Sequence, residues 1–242
     1  PYSIDEMFGL ARRIDFAGID VFHSPHFTLP FGIRVPSVVT VHDLIHVHNP
    51  QRAFYPVVAR GLVRSSLKRA SAVVTVSRAS CKELAALAPF ASDKISVVPN
   101  SLGAHFEHSF GREAVDPELL ELQRRPYVLG VFSNTKPHKR LHDLVEAFAA
   151  VKARAEFESL TLVLAGMGFE AGSHEWVQEQ YWLRGKGYGH LLNDINVLGM
   201  VSKTQLVSLY RQARVLAVPS IAEGFFLPAL EARALGLSLI HI

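Results

Sequence analysis

Short runs of β-branched and apolar residues alternate with segments of helical period along almost the whole chain, and that order leaves few folds open. Residues 37–42, 72–76 and 95–100 are rich in Val, Ile and Thr, as strands covered on both faces of a parallel sheet are. A shorter apolar run at 20–23 precedes them. Residues 52–70 read as a helix, and Ser77 reads as the N-cap of another that runs to about Leu87. The period is lost over 101–125, which reads as a linker with a short helix near 116–124. The alternation then restarts. Strands are expected at 127–132, 160–165, 195–198 and 215–218, and helices at 141–152, in part of 174–191, and at 203–212. Two such runs predict two α/β domains, each a parallel sheet covered by helices, over residues 1–112 and 113–236.

Composition narrows the function classes. With 242 residues, 49% hydrophobic and 19% charged, the chain has room for two ordinary globular domains. No apolar run is long enough to span a bilayer. The single Cys81 rules out an internal disulfide and fits a reducing compartment. The net charge of +3 comes with no basic stripe interleaved with aromatics, so nucleic acid is not the expected partner. A diphosphate or an anionic lipid surface fits better.

In sheets of this kind ligands bind beyond the carboxyl ends of the strands, and the informative residues lie there. After the strand at 215–218, residues 219–231 read as a turn feeding a helix. Pro228 suits the first helical position, and Gly224 permits close approach of the backbone to a ligand. The N–H groups of such a helix end attract phosphate. Glu223 before the helix and Glu231 in its first turn would repel phosphate, so they are expected to accept from sugar hydroxyls. A phosphate cradle flanked by two hydroxyl acceptors points to a nucleotide-sugar. A second loop, after the strand at 127–132, carries Lys136, Lys139 and Arg140 and opens a helix, as a diphosphate site would. Histidines cluster at 23–26 and 42–48, but without a zinc-site spacing.

The spacing of Glu223 and Glu231 around Gly-Phe-x-Leu-Pro resembles the signature of family-4 retaining glycosyltransferases of the GT-B fold. The resemblance extends over most of residues 1–236. It implies two Rossmann-like domains facing a cleft. It also implies transfer of a mannose- or glucose-type sugar from a nucleotide-diphosphate donor to a hydroxyl, with retention. The setting it implies is synthesis of cell-surface polysaccharide or glycolipid, in the cytoplasm or on the inner face of the membrane. The acceptor would be a carbohydrate or a lipid-linked one.

Lys139 matches the last lysine of the family's G-N-x-K-P-H-K-N loop, which grips the diphosphate. Ser133 and Asn134 stand where many members have Arg or Gly, and Lys136 is the substitute. His42 matches the histidine beside the donor sugar, and His26, in His-Ser-Pro-His, is the candidate for acceptor binding. Gly199-Met200-Val201 matches the G-x-V turn that meets the base. Gly224, Phe225, Phe226 and Leu227 would line the donor, with Phe226 narrowing the sugar pocket. Ser101 replaces the glycine of the family's P-N-G turn after Asn100. His42, Lys139 and Glu223 are the expected catalytic residues. No two aspartates stand two positions apart, so the usual metal triplet is missing and no metal or other cofactor is expected. No spare carboxylate remains for a double displacement, which favours a front-face route. A nucleotide-sugar epimerase or phosphorylase of the same fold, or a non-catalytic sugar- or nucleotide-binding protein, are the other readings. The two glutamates with Lys139 and the Thr-Val-His-Asp strand end favour the transferase.

Arg60, Arg64 and Lys68 recur every four residues, which places them near one helix face and suggests a peripheral membrane contact. Both ends of the chain depart from the family pattern. The first residues from Pro1 read as mid-domain, so both domains are expected to be incomplete. The last six, Leu237-Ser238-Leu239-Ile240-His241-Ile242, are what CTG TCT CTT ATA CAC ATC encodes, and are expected to be read-through of a sequencing adapter.

Overall fold

The computed structural model describes residues 4–48, 55–103, 106, 116–133 and 135–241. They form two units, one of Pro1–Ser101 with Glu223–Phe225, the other of Leu102–Ala222 with Phe226–Ile242.

The first unit is built on four parallel strands: β1 (Phe22–Ser24), β2 (Ser37–Val41), β3 (Ala72–Thr75) and β4 (Ile95–Val97). They lie side by side in chain order. Its helices are α1 (Ile4–Phe8), α2 (Ile45–His48), α3 (Tyr55–Arg69) and α4 (Arg78–Leu87). The expected start of α3 at 52–54 lies outside the described residues. Val39, Val41 and Val73 of the sheet are fully buried with Val63 and Leu67 of α3 and Leu84 of α4. Ser77 caps α4 as its sequence predicts, accepting from the Ser80 N–H. Arg69 donates to the carbonyls of Leu29 and Pro30 and lies 4.1 Å over the Phe31 ring, which clamps the loop between β1 and β2.

The second unit holds five parallel strands: β5 (Tyr127–Phe132), β6 (Thr161–Gly166), β7 (Ile195–Gly199), β8 (Val215–Val218) and β9 (Leu239–His241). Their order is β7-β6-β5-β8-β9. The chain steps outward from β5 to β7, then returns to the other side of β5, so β5 and β8 flank a topological switch point. Helices α5 (Leu120–Gln123), α6 (Leu141–Lys152), α7 (His174–Gly185), α8 (Lys203–Gln212) and α9 (Leu227–Ala234) complete the unit. All six residues of β6 are buried, and successive ones enter different cores. Leu162 and Leu164 join Phe148 and Trp176, while Val163 and Ala165 join Tyr210 and Leu216. That division is the period-2 alternation of a strand covered on both faces. Residues 239–241 extend the sheet from β8, with Leu216 opposite Leu239. Edge pairing needs only backbone groups and an apolar face, which a read-through peptide supplies as well as a native strand.

At the amino ends of these strands, Asp194 accepts from Arg125 at 2.7 Å and pairs with Lys152 at 3.0 Å. Burial alone would raise its pKa, but the hydrogen bonds and charges of Lys152 and Arg125 outweigh burial and hold it below the usual carboxylate range. A depressed folded pKa stabilises the fold above the unfolded value of about 3.9 and is lost as pH falls through the folded one. Asp194→Asn is expected to lower stability by on the order of 1 kcal/mol at neutral pH. The deficit should shrink in urea titrations as the pH falls through the unfolded and then the folded value. A deficit that does not change with pH would leave the ion pairs without a role.

Candidate active site

The loop after β5 is folded inward by its own backbone. Lys136 is extended, Pro137–Lys139 make a single 3-10 turn, and Arg140 at φ 52 reverses the chain into α6. The turn carries the Lys139 side chain into the protein, where the residue is only 4% exposed. Its Nζ stands 5.7 Å from the centre of the Phe226 ring. The carbonyl of the neighbouring His138 accepts from the Ile221 N–H at 3.0 Å. That bond ties the loop after β5 to the loop after β8, across the switch point where α/β sheets bind ligands. Lys136 is exposed, so the two lysines do not share one environment. Asn134 lies outside the described residues.

Helix α9 begins one residue earlier than its sequence suggests. Phe226 is the N-cap, Leu227 leads, and Pro228 is second rather than first. Proline is equally harmless there, because the first four N–H groups of a helix have no partner within it. Glu231 therefore falls in the second turn and not the first. The N–H groups of Ala229 and Leu230 turn back onto the Phe226 carbonyl, which leaves the Leu227 N–H at the head of the helix. The Glu231 carboxylate accepts from the Tyr210 hydroxyl at 3.0 Å. Tyr210, on α8, is fully buried. Burial pushes its phenol far above the ordinary range and the charge and hydrogen bond of Glu231 push it further, so it keeps its proton and donates.

Gly199 ends β7 at φ 63, and its N–H donates to the Phe169 carbonyl at 2.9 Å. A Cβ there would lie 2.8 Å from Cγ of Glu170, so both conformation and space require glycine. Met200 then projects outward, 68% exposed. Val201 leads into Ser202 and Gln205, whose reciprocal capping box starts α8.

In the first unit His42 is exposed, with Nε2 3.3 Å from the Pro25 carbonyl. His26 places Nδ1 3.0 Å from the Thr28 hydroxyl. Burial lowers the His26 pKa; Glu6 opposes that and the neighbouring His42 adds to it. Both histidines thus lie on one side of the β1–β2 strand ends. Gly224, within the same unit, is buried, and a Cβ on it would meet the His42 carbonyl oxygen at 2.2 Å. The close approach expected of this glycine is therefore made to the protein's own main chain. His46 and His48 face Asp43 and Glu83, each at 3.7 Å. Among the described residues no group of three or more His, Cys, Asp and Glu could hold a metal ion.

Residues 115–242 match the family model described as Glycosyl transferases group 1, and residues 1–102 the one described as Glycosyltransferase Family 4. The chain belongs to the family-4, group 1 glycosyltransferases. It is 26% identical over 233 residues to the O-antigen chain mannosyltransferase RfbU of Salmonella typhimurium, covering 96% of this chain and 59% of that protein. It is 26% identical over 229 residues to the O-antigen chain mannosyltransferase B of Escherichia coli, covering 91% of this chain and 56% of that one. The chain thus spans little more than half the length of these relatives. Among solved structures, Anabaena HepE in complex with UDP and glucose aligns at TM-score 0.64 and 22% identity, over 86% of this chain and 53% of that one. A glycosyltransferase from Rickettsia africae aligns at 0.67 and 20%, over 96% and 60%. At those identities the likeness carries the fold, and the two parallel-sheet α/β units are those of GT-B glycosyltransferases.

In this member of the family the predicted residues fall into two sets. Lys136, Lys139, Gly199, Met200, Val201, Phe226, Leu227 and Glu231 belong to the second unit, with Lys139 and Phe226 brought together. His26, His42, Glu223, Gly224 and Phe225 belong to the first. Sequence reasoning missed Tyr210. It lies 21 residues from Glu231, in the last turn of α8 and in no motif, so no local pattern could have marked it.

Proposed function

We propose that the protein transfers a mannose- or glucose-type sugar from a nucleoside-diphosphate sugar to a hydroxyl of a carbohydrate or lipid-linked acceptor, with retention. The buried Lys139 beside Phe226 at the β5–β8 switch point carries this reading. An ammonium held out of water has a strong field and needs no reorganisation when charge develops nearby. As the anomeric C–O bond breaks, the electron pair goes to the phosphate oxygen. Lys139, the Leu227 N–H and the positive end of α9 are the groups to stabilise it there. The released phosphate oxygen takes the acceptor proton as the acceptor oxygen bonds to the anomeric carbon on that same face, which keeps the configuration. Glu223 orients the sugar hydroxyls, Glu231 those of the ribose, and the turn around Met200 meets the base. The charge on Lys139 does the work a metal would do elsewhere, so the reaction is proposed to be metal-independent. The mannosyltransferase relatives and the UDP and glucose named for HepE support a nucleotide-sugar donor.

The test is steady-state kinetics on the intact enzyme, with and without EDTA. Glu231→Gln should raise the KM for the donor about tenfold and leave kcat, since that contact exists in ground and transition states alike. Glu223→Gln should lower kcat by about as much. EDTA should change neither wild-type value. Equal small effects from both variants, or full loss with EDTA restored by Mn²⁺, would refute the reading.

A lipid-linked acceptor would put the work at the inner face of the membrane, and the first unit offers a surface for it. No helix among the described residues is long and apolar enough to cross a bilayer. On α3, Val57 is 73% and Val58 52% exposed, beside the exposed Arg60, Arg64 and Lys68. Arg64 also donates to the Leu87 carbonyl and lies 5.2 Å over Phe90, so part of its reach is taken. Co-sedimentation with anionic vesicles is expected, weakening with salt and with charge reversal at Arg60 and Lys68. No binding at low salt would end the idea.

A further inference from the structure

We propose that Tyr210 is the positioning residue for Glu231, so that α8 sets the ribose end of the donor site. The inference rests on reading Glu231 as an acceptor of donor hydroxyls. Tyr210 is fully buried, and its hydroxyl donates to Oε2 of Glu231 at 3.0 Å. A buried phenol needs a partner, and the carboxylate oxygen that accepts from it is held in one direction. A glutamate held in one rotamer loses less freedom when a ligand binds than one that must first be ordered.

The helix that carries Tyr210 is itself well anchored. Its start is set by the capping box that follows Gly199-Met200-Val201, and near its end the Tyr127 hydroxyl donates to the Leu209 carbonyl at 2.8 Å. One rigid element therefore joins the turn assigned to the base with the carboxylate assigned to the ribose. Tyr127 provides a matched control, because it is equally buried and bonds the same helix without touching Glu231.

Calorimetry on the intact enzyme with UDP and with GDP tests this, alongside their 2′,3′-dideoxy counterparts. Tyr210→Phe should weaken the nucleotide that binds about tenfold, with kcat within about twofold of wild type. Tyr127→Phe should leave the affinity unchanged. On a Glu231→Gln background Tyr210→Phe should add nothing, because the two act as one unit. For the dideoxy nucleotide its penalty should disappear. A normal affinity in Tyr210→Phe, or an equal loss in Tyr127→Phe, would overturn the positioning role and leave the donor role of Glu231 standing. No effect of Glu231→Gln, equal binding of the dideoxy compound to wild type, or binding of neither nucleotide would overturn both.

Discussion

Lys139→Ala in the intact enzyme is expected to lower turnover by about 10²-fold or more, the usual consequence of removing one preorganised charge from a developing oxyanion. Lys139→Met, which keeps most of the apolar stem, should lose as much. Lys139 is only 4% exposed, so thermal melts of both variants belong beside the kinetics. Lost turnover with a folded protein separates a functional lysine from a structural one. Unchanged turnover in both variants would take Lys139 out of the site. A large fall in midpoint would make it part of the core.

The second large effect is on the sheet that carries this lysine. Gly166, the last residue of β6, has φ +124, and a Cβ on it would lie 1.7 Å from the Phe132 carbonyl oxygen. Alanine there suffers both the strained backbone and an overlap with main chain, which no rotamer relieves. A loss of at least about 3 kcal/mol is expected in chemical denaturation. Gly172 is the control: its φ is +79, but a Cβ there would meet nothing within 4 Å. Alanine at that position should cost only about 1–2 kcal/mol, from conformation alone. Equal losses at the two sites would show that the overlap at the end of β5 is relieved by movement.

The local patterns determined the two parallel-sheet units and most of the candidate residues. A strand buried on both faces must be apolar throughout, and β6 shows that requirement along its whole length. The lysine loop and the two glutamates were chosen by residue type. Phosphate and hydroxyl recognition call for cations, a helix end and carboxylates, and those residues stand in the segments that follow β5 and β8. Even the start of α9 was misjudged by only a residue, since proline fits either of the first two helical positions.

Only the tertiary structure decided the rest. Periodicity does not say on which side of β5 the returning strand will pair, and that choice creates the switch point. A charged loop lysine would be expected in water; the turn ending at Arg140 and the bond from Ile221 to His138 carry Lys139 inward. Gly224 looked like a glycine kept clear for a ligand, yet the nearest atom is the His42 carbonyl, from a strand end far away in sequence. Tyr210 reaches Glu231 because two helices pack side by side. Each of these is a contact between distant segments, and hydrophobic period and turn chemistry are properties of near neighbours alone.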